Sequence, residues 1–281
     1  MGRETASEPF APSTISTAGA AEQIAAQLRE AIRRGQLEPG RRLPSEVELA
    51  AEYGVSRGTI RETFKLLASR GLVESTRGAA GGTFVRLPEP DRVAAVMGET
   101  ISLWFNAGET SVAELTDARS WIERGCVKLA TRDARAEDLE AIRVAVEAME
   151  EPGLDMDAML ALDIDFHAAV SSAARNTVLE LAMNAVLLVR PYTNTMLVPL
   201  LEIGTIARQH RVIYEAIAGG DAAEADAALD THLGYLQKVR EQALADQRPE
   251  DVPVAALTAE AHPAFERVRD RVLARGTRPA A

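Results

Sequence analysis

Two short, closely spaced helices within residues 43–86 constrain this chain more than any other sequence feature. Ser45 and Glu48 form a capping-box pattern, so a helix is predicted to begin there. Gly54 ends that helix, and Ser56 caps a second one. The buried face of the second helix has apolar residues at i, i+4 and i+7, namely Ile60, Phe64 and Leu67. Such a pair of capped helices is typical of a helix-turn-helix.

The exposed first turns of the second helix carry side chains that can donate hydrogen bonds to guanine edges and phosphates. Two predicted strands, 72–75 and 83–86, flank the glycine-rich tip 78–82 and indicate a β-hairpin wing. We therefore predict a DNA-binding winged helix-turn-helix; the alternative is an ordinary small helical domain with a surface hairpin. The residues predicted to contact DNA are Arg41, Ser45, Ser56, Arg57, Thr59, Arg61, Lys65, Arg77 and Gly78.

The same stretch resembles the DNA-binding domain of the GntR family of bacterial transcription regulators. The resemblance begins in a first helix, 24–32, and continues to the wing. Two positions depart from it: Val47 stands where many relatives have an arginine, and Gly58 where a threonine is common. The matching motifs are Leu43-Pro44-Ser45-Glu46, Val55-Ser56-Arg57, Arg61-Glu62 and Gly82-Thr83-Phe84-Val85.

Length and charge fit a chain with two domains. At 281 residues the chain can hold two hydrophobic cores. The net charge of −11 is unevenly divided: residues 1–90 carry 12 Lys and Arg against 11 Asp and Glu, and the remainder carries 19 against 31. The acidity lies outside the predicted DNA-binding segment. The negatively charged remainder of the protein repels DNA, whereas the basic helix attracts it. This charge distribution disfavours nonspecific DNA binding.

The expected compartment is the cytoplasm. Cys126 is the single cysteine, so no intramolecular disulfide can form, and a reducing compartment is expected. The sequence has neither a signal-peptide pattern nor an apolar run near 18 residues, so neither export nor membrane insertion is predicted.

The fold is predicted to be mainly α: an N-terminal winged helix-turn-helix followed by a C-terminal all-helical antiparallel bundle. Aromatic residues make up 4% of the chain, and no strand alternation occurs after residue 90. Pro88 and Pro90 make a stiff linker between the domains. The predicted segments are a disordered extension (1–18), the winged domain (19–87), a linker and connecting helix (88–110), a helical domain for metal, effector and dimerisation (111–246) and a tail (247–281). Helices are expected at 91–106, 111–132, 136–150, 155–173, 177–196, 199–218 and 221–245.

Three of the four histidines fall on three different predicted helices of the bundle: His167, His210 and His232. Asp163 lies four residues before His167, so their side chains share one helix face and can chelate one ion. One carboxylate and three imidazoles suit a divalent transition metal, with positions left for water or ligand. Zn²⁺ is the first choice, and Ni²⁺, Mn²⁺ or Co²⁺ are alternatives. The spacing alone is also compatible with ordinary bundle histidines.

This part of the chain resembles the FadR-type (FCD) branch of the same family. The resemblance implies an all-helical domain that dimerises and binds a divalent metal and a small carboxylate effector. It assigns Asp163, His167, His210 and His232 as metal ligands, while Asp165 at i−2 faces away from His167, and His262 matches nothing. The matching segments are 162–167, Asn176, 210–217, Gly220-Asp221 and His232-Leu233.

The effector-binding candidates are Arg119, Arg190 and Asn194. Arg119 with Glu123 resembles an Arg-x-x-x-Glu pattern whose arginine points into the effector cavity, and a guanidinium fork suits a carboxylate. The alternative for this pair is an i, i+4 ion pair on the surface. Trp104 and Trp121 are expected in the core or at an interface.

The predicted function is a homodimeric, ligand-responsive transcription regulator that binds a pseudo-palindromic double-stranded operator, is not an enzyme and has no membrane partner. One alternative is a metal-dependent hydrolase or lyase with a DNA-tethering domain, since a metal can activate water. Against it, the sequence offers no positioned general base and no Gly-x-Ser-x-Gly motif. A third hypothesis is a regulator without metal that binds an apolar acyl effector.

Overall fold

The structure is a computed structural model that describes residues 19–78, 81–194 and 200–245. The predictions for the extension 1–18 and the tail 247–281, and for His262, lie outside the described residues. The chain divides after Glu89 into two compact units, and this division falls inside the predicted linker. Among the described helices, none has the length and apolar character needed to cross a membrane.

The first unit is a helix-turn-helix with a hairpin wing, as predicted. The Ser45 hydroxyl accepts a hydrogen bond from the Glu48 N–H, and the Glu48 carboxylate accepts one from the Ser45 N–H. Gly54 has a φ of 67°, the left-handed conformation that ends a helix. The Ser56 hydroxyl accepts a hydrogen bond of 3.1 Å from the Thr59 N–H. The elements are α1 (Ala20–Arg33), α2 (Glu46–Tyr53), α3 (Arg57–Ser69), β1 (Val73–Thr76) and β2 (Gly82–Val85).

The wing is an antiparallel pair in which Val73 lies opposite Val85 and Thr76 opposite Gly82. Both strands are displaced by one residue from the predicted ranges, because the hydrogen-bond register rather than the alternation of side chains sets their ends. Val73 and Val85 are buried and tie the wing to the helices. The core of this unit includes Ile24, Leu28, Leu49, Ile60 and Leu67.

Every α-helix or strand assigned among the described residues of the second unit is a helix, which confirms the predicted fold class. Each predicted helix is present, with ends that differ from the prediction by up to four residues. The helices are α4 (Pro90–Asn106), α5 (Val112–Asp133), α6 (Ala136–Met149), α7 (Met156–Ala173), α8 (Thr177–Asn194), α9 (Ile203–Gly219) and α10 (Ala222–Ala245). The core lies between α5, α6, α7, α8, α9 and α10.

The start of α9 was predicted wrongly. The prediction placed it at residue 199, whereas the helix begins at Ile203. Glu202 has extended backbone, with φ −107° and ψ 112°, and its N–H donates a hydrogen bond of 2.9 Å to the Tyr235 hydroxyl of α10. This tertiary contact fixes the backbone before the helix, and local spacing cannot reveal it.

Helix α4 packs closely on α8 through Gly98. A Cβ atom at Gly98 would lie 3.0 Å from Cβ of Leu188 and 3.1 Å from the carbonyl oxygen of Ala185. The Ala185 carbonyl oxygen belongs to the backbone, so it can move away only if the whole of α8 moves. The absence of a side chain at residue 98 therefore sets the distance between α4 and α8.

Gly98→Ala is expected to destabilise the second unit. Overpacking typically costs about 1–3 kcal/mol, and the higher helix propensity of alanine returns about 0.5–1 kcal/mol, so a net loss follows. Gly234→Ala is the matched control, because Gly234 lies inside α10 and an added Cβ atom there would have nothing within 4 Å. Urea unfolding should show a lower midpoint for Gly98→Ala and an unchanged or higher one for Gly234→Ala. Equal midpoints would mean that α4 and α8 separate without cost.

Candidate functional sites

The exposed face of α3 carries the basic residues predicted to contact DNA. Arg57, Arg61 and Lys65 are spaced at i, i+4 and i+8 and are all exposed. The opposite face, with Ile60 and Phe64, is buried in the core of the first unit. Helix α3 therefore presents one basic face and one apolar face, as a major-groove recognition helix requires.

Several of the predicted DNA-contacting residues also hold the domain together. Arg61 forms an ion pair with Glu46 at 2.9 Å, and Lys65 one with Glu62 at 3.3 Å. Arg41 donates a hydrogen bond of 3.0 Å to the Gln36 carbonyl. Ser45 and Ser56 use their hydroxyls as helix caps, while the remaining candidates Thr59, Arg77 and Gly78 lie at the start of α3 and after β1. All nine are exposed or partly exposed.

Arg42 is a structural arginine of the wing that the sequence did not single out. Its guanidinium donates a hydrogen bond of 2.7 Å to the Gly81 carbonyl, and residue 42 forms a bridge with Phe84. A Cβ atom at Gly82 would lie 2.5 Å from Nε of Arg42. Arg42 thus fixes the base of the wing, and glycine at residue 82 leaves it the necessary room.

The four predicted metal ligands meet in the core of the second unit. Asp163 and His167 project from α7, His210 from α9 and His232 from α10, and all four side chains are buried. One possible ligand atom from each lies within 4.8 Å of those of the other three. Phe166 stacks on the His210 ring with centroids 4.0 Å apart, which limits the orientation of that ring.

The distances within this cluster suit a transition-metal ion. Oδ1 of Asp163 lies 3.5 Å from Nε2 of His167 and 3.5 Å from Nε2 of His210. Two ligands that each lie about 2.1 Å from a tetrahedral ion are about 3.4 Å apart. The Nε2 atoms of His210 and His232 are buried and have no hydrogen-bond partner within the part of the chain that is described. Buried polar atoms of this kind fit a ligand role.

A second set of side chains orients the three imidazoles through Nδ1. Nδ1 of His167 contacts a carboxylate oxygen of Glu123. Nδ1 of His232 lies 3.0 Å from Oε1 of Gln209, and Nδ1 of His210 lies 3.2 Å from Sδ of Met149. These three partner atoms accept hydrogen bonds, so each imidazole satisfies its partner by carrying its proton on Nδ1. That tautomer leaves the Nε2 lone pairs of His210 and His232 available for a metal, while Nε2 of His167 lies 3.1 Å from Nη2 of Arg119.

Electrostatics in the cluster favour a neutral His210, a neutral His232 and an ionised Glu123. Burial, and then the nearby His232, hold the pKa of His210 well below its ordinary value of 6.5. Burial and His167 lower the pKa of His232 to about 3. Burial alone would raise the pKa of Glu123, but the charge of Arg119 and the contact with His167 outweigh burial and hold this pKa below its ordinary value of 4.5. Neutral imidazoles are the form that coordinates metals.

Arg119 lies next to this cluster rather than on the surface. Its Nε forms an ion pair of 3.2 Å with Oε2 of Glu123, and its Nη2 lies 3.1 Å from Nε2 of His167. The Arg119–Glu123 pair is therefore formed, but both residues are buried. The alternative prediction, an ion pair on the surface, is therefore wrong for Arg119 and Glu123.

A cavity of about 350 Å³ opens beside the cluster. Arg119 and Asp163 both line it, together with aliphatic residues of α5, α7, α8 and α10. The side chains of the other two effector candidates, Arg190 and Asn194, lie outside what the structure describes. The cavity thus places one guanidinium beside the candidate metal ligands.

Two tryptophans lie outside the core. Trp104 on α4 and Trp121 on α5 have 56% and 76% of their surface exposed. Both tryptophans were expected in the core or at an interface. The core location is wrong for both, and the interface location stays a prediction.

The winged helix-turn-helix and the separate helical bundle together define a class, the DNA-binding transcription regulators with a second domain. Comparison with known families agrees: residues 20–85 match the bacterial regulatory proteins of the gntR family, and residues 114–235 match the FCD domain. The chain belongs to the GntR family and carries the FCD type of second domain.

Named relatives are similar over most of their length. LutR, an HTH-type transcriptional regulator of Bacillus subtilis (strain 168), is 31% identical over 74% of this chain and 95% of its own. The putative L-lactate dehydrogenase operon regulatory protein of Escherichia coli (strain K12) is 29% identical over 80% of this chain and 88% of its own. The transcriptional repressor NanR of Escherichia coli (strain K12 / DH10B) is 29% identical over 83% of this chain and 87% of its own.

A solved structure supports the fold. The GntR protein of Streptococcus agalactiae superposes with a TM-score of 0.50 at 22% identity and covers 78% of this chain and 99% of its own. The named relatives are regulators, and the protein is a DNA-binding transcription regulator of the GntR and FCD type.

Proposed function

We propose that this regulator senses a small carboxylate, which binds at a metal centre in the second unit and changes the affinity of the first unit for its operator. The observation that carries the proposal is the convergence of Asp163 and one ring nitrogen from each of three histidines next to a cavity that Arg119 also lines. Coupling of this kind requires that the effector bind two arrangements of the protein with different affinity.

Asp163, His167, His210 and His232 would hold the metal, with Zn²⁺ as the first choice and Ni²⁺ or Mn²⁺ as alternatives. When bound, a divalent ion supplies positive charge and open coordination positions for a carboxylate oxygen. Glu123, Gln209 and Met149 orient the three imidazoles, as the contacts at Nδ1 indicate. The protein contributes a buried set of ring ligands.

Arg119 would bind the effector carboxylate. A guanidinium presents two parallel N–H donors to a carboxylate, and charge-assisted hydrogen bonds are stronger when water is excluded. Arg119 is 7% exposed and lines the cavity, so it meets both conditions. Its ion pair with Glu123 holds the side chain at this end of the cavity.

The alternative of a metal-dependent hydrolase or lyase makes a different prediction about the bound acid. A sensor releases its ligand unchanged, whereas an enzyme returns product. The buried carboxylate closest to His167, Glu123, is occupied by contacts to His167 and Arg119. It is therefore poorly placed to act as a general base, and the similarity to named regulators also supports sensing.

DNA recognition would use the basic face of α3 and the wing. Arg57 and Arg61 lie in the first turns of α3, where a recognition helix contacts base edges. A pseudo-palindromic operator implies two copies of the protein related by a twofold axis. Since the relatives called NanR are named repressors, we propose that this protein also represses by occupying its operator.

The second unit offers a surface for a homodimer on α4. Val96, Met97, Leu103 and Trp104 are 37% to 63% exposed and are spaced at i, i+1, i+7 and i+8, so they share one face of the helix. The opposite face, with Ala94, Gly98 and Phe105, is buried. A row of exposed large apolar residues on one helix is typical of a protein interface.

The metal prediction concerns ion content. Purified protein is expected to hold close to one transition-metal ion per chain, and Asp163→Ala is expected to lose most of it, because one of four protein ligands is removed. Asp165→Ala, two residues along the same helix, should retain the metal. Elemental analysis of the three proteins checks this. Wild-type protein without metal, or equal loss in both variants, would contradict the assignment.

The DNA prediction concerns Arg57. Arg57→Ala is expected to cost about 1–3 kcal/mol of operator binding and to relax preference at one base pair, if the guanidinium pairs with a guanine. Arg70→Ala removes the same charge at the other end of α3 and should change binding little. Fluorescence anisotropy with a set of singly substituted operators measures both. If Arg57→Ala binds the operator with unchanged affinity, α3 is not the recognition helix.

The dimer prediction concerns the exposed face of α4. Leu103→Glu and Trp104→Glu together are expected to shift the protein from dimer to monomer, because the charges would be buried without partners in an apolar interface. Val144→Glu, at another exposed aliphatic residue, should leave the dimer intact. Sedimentation equilibrium gives the masses. A double variant that remains dimeric would place the interface elsewhere.

A further inference from the structure

The cavity beside the metal cluster has a second, unassigned arginine at its far end. Arg240 on α10 lines the cavity, and its Nη1 atom is buried without a hydrogen-bond partner among the described residues. A buried guanidinium nitrogen without a partner is unfavourable unless a ligand supplies an acceptor. Neither a motif nor a resemblance marked this residue in the sequence.

The register of α5 against α10 places Arg240 away from the metal ligands. Arg124 forms ion pairs with Asp226 and Asp230, and Arg119 contacts His167, whose ring lies 5.7 Å from that of His232. Residues earlier in α5 thus face residues later in α10, so the two helices run in opposite directions. Arg240 lies eight residues beyond His232, about 12 Å along the helix axis.

The wall between the two ends is mainly aliphatic. On α10 the residues Leu233, Leu236 and Arg240 recur at helical spacing along the cavity, and Leu115 of α5 and Val186 of α8 line it as well. The carboxylate of Asp230 is already matched by Arg124. The cavity therefore has the Arg119 guanidinium near the metal ligands and the Arg240 guanidinium farther along α10. Apolar side chains form much of the lining, and Thr116, Asp117, Ser120 and Gln237 add polar groups.

We propose that the effector is an aliphatic dicarboxylate, with one carboxylate at the metal and Arg119 and the second at Arg240. This inference rests on the proposed function and adds the chemical class of the ligand. A monocarboxylate of the same length would leave the Arg240 guanidinium without an acceptor, so its affinity is lower. The aliphatic chain between the two acids lies along the leucine and valine side chains of the wall.

The test compares acids of equal length in the full-length protein supplied with Zn²⁺. Hexanoate is compared with hexanedioate, and octanoate with octanedioate, by isothermal titration calorimetry. In the wild type at least one diacid should bind about tenfold more tightly than its matched monoacid, as expected for one added charge-assisted hydrogen-bond pair. Arg240→Met should reduce this ratio to near one, and Arg240→Lys should retain part of it.

Lys238→Met is the matched control, because it removes the same charge from an exposed position on α10 and should keep the ratio. Each ratio is measured within one protein, so a general loss of stability in a variant does not imitate the result. A ratio near one in the wild type, or one that persists in Arg240→Met, overturns the dicarboxylate inference while monoacid binding still supports a carboxylate sensor. If neither series binds to the wild type, the proposed carboxylate sensor fails as well.

Discussion

The burial of one carboxylate and three imidazoles in the bundle core is the constraint on which the second unit depends. Buried polar groups are unfavourable unless each has a partner. Asp163 and the histidines come from three helices, α7, α9 and α10. Glu123 of α5, Met149 of α6 and Gln209 of α9 hold the ring nitrogens that face away from the cluster. The polar contacts therefore fix how five helices are placed around one point.

The charge balance at this point explains why Arg119 can be buried. An isolated guanidinium in the core would be strongly unfavourable, but Glu123 lies 3.2 Å away and stays ionised. Because Glu123 also contacts His167, one carboxylate both compensates the arginine and orients a candidate metal ligand. Removal of Glu123 would disturb both functions together. The spacing of Arg119 and Glu123 along α5 thus reflects the site as well as the packing.

Local signals made most of the fold predictable, and long-range contacts account for the rest. Capping residues such as Ser45, Ser56 and Ser111 act within one helical turn, so the sequence alone reveals where their helices begin. The start of α9 depends on Tyr235, thirty-three residues away. The Asp-x-x-x-His pair is visible on one helix, whereas its meeting with His210 and His232 was only one of two interpretations of the spacing, and a family resemblance favoured it. Gln209, Met149 and Arg240 have no sequence signal, because an amide, a thioether or a single arginine acquires its role from tertiary neighbours.

The packing of α8 links the cavity to the beginning of the second unit. Val186 and Val189 line the cavity, while the neighbouring turns of α8, at Ala185 and Leu188, contact α4 around Gly98. This contact is tight, since a single added Cβ would lie 3.0 Å from Leu188. A ligand that displaces α8 therefore displaces α4, because close-packed interiors transmit shifts rather than absorb them. Helix α4 starts at Pro90, directly after the segment that joins the two units. Under the proposed function, a ligand in the cavity would act on α4 through α8, and the strength of that effect would depend on how tightly α4 and α8 pack.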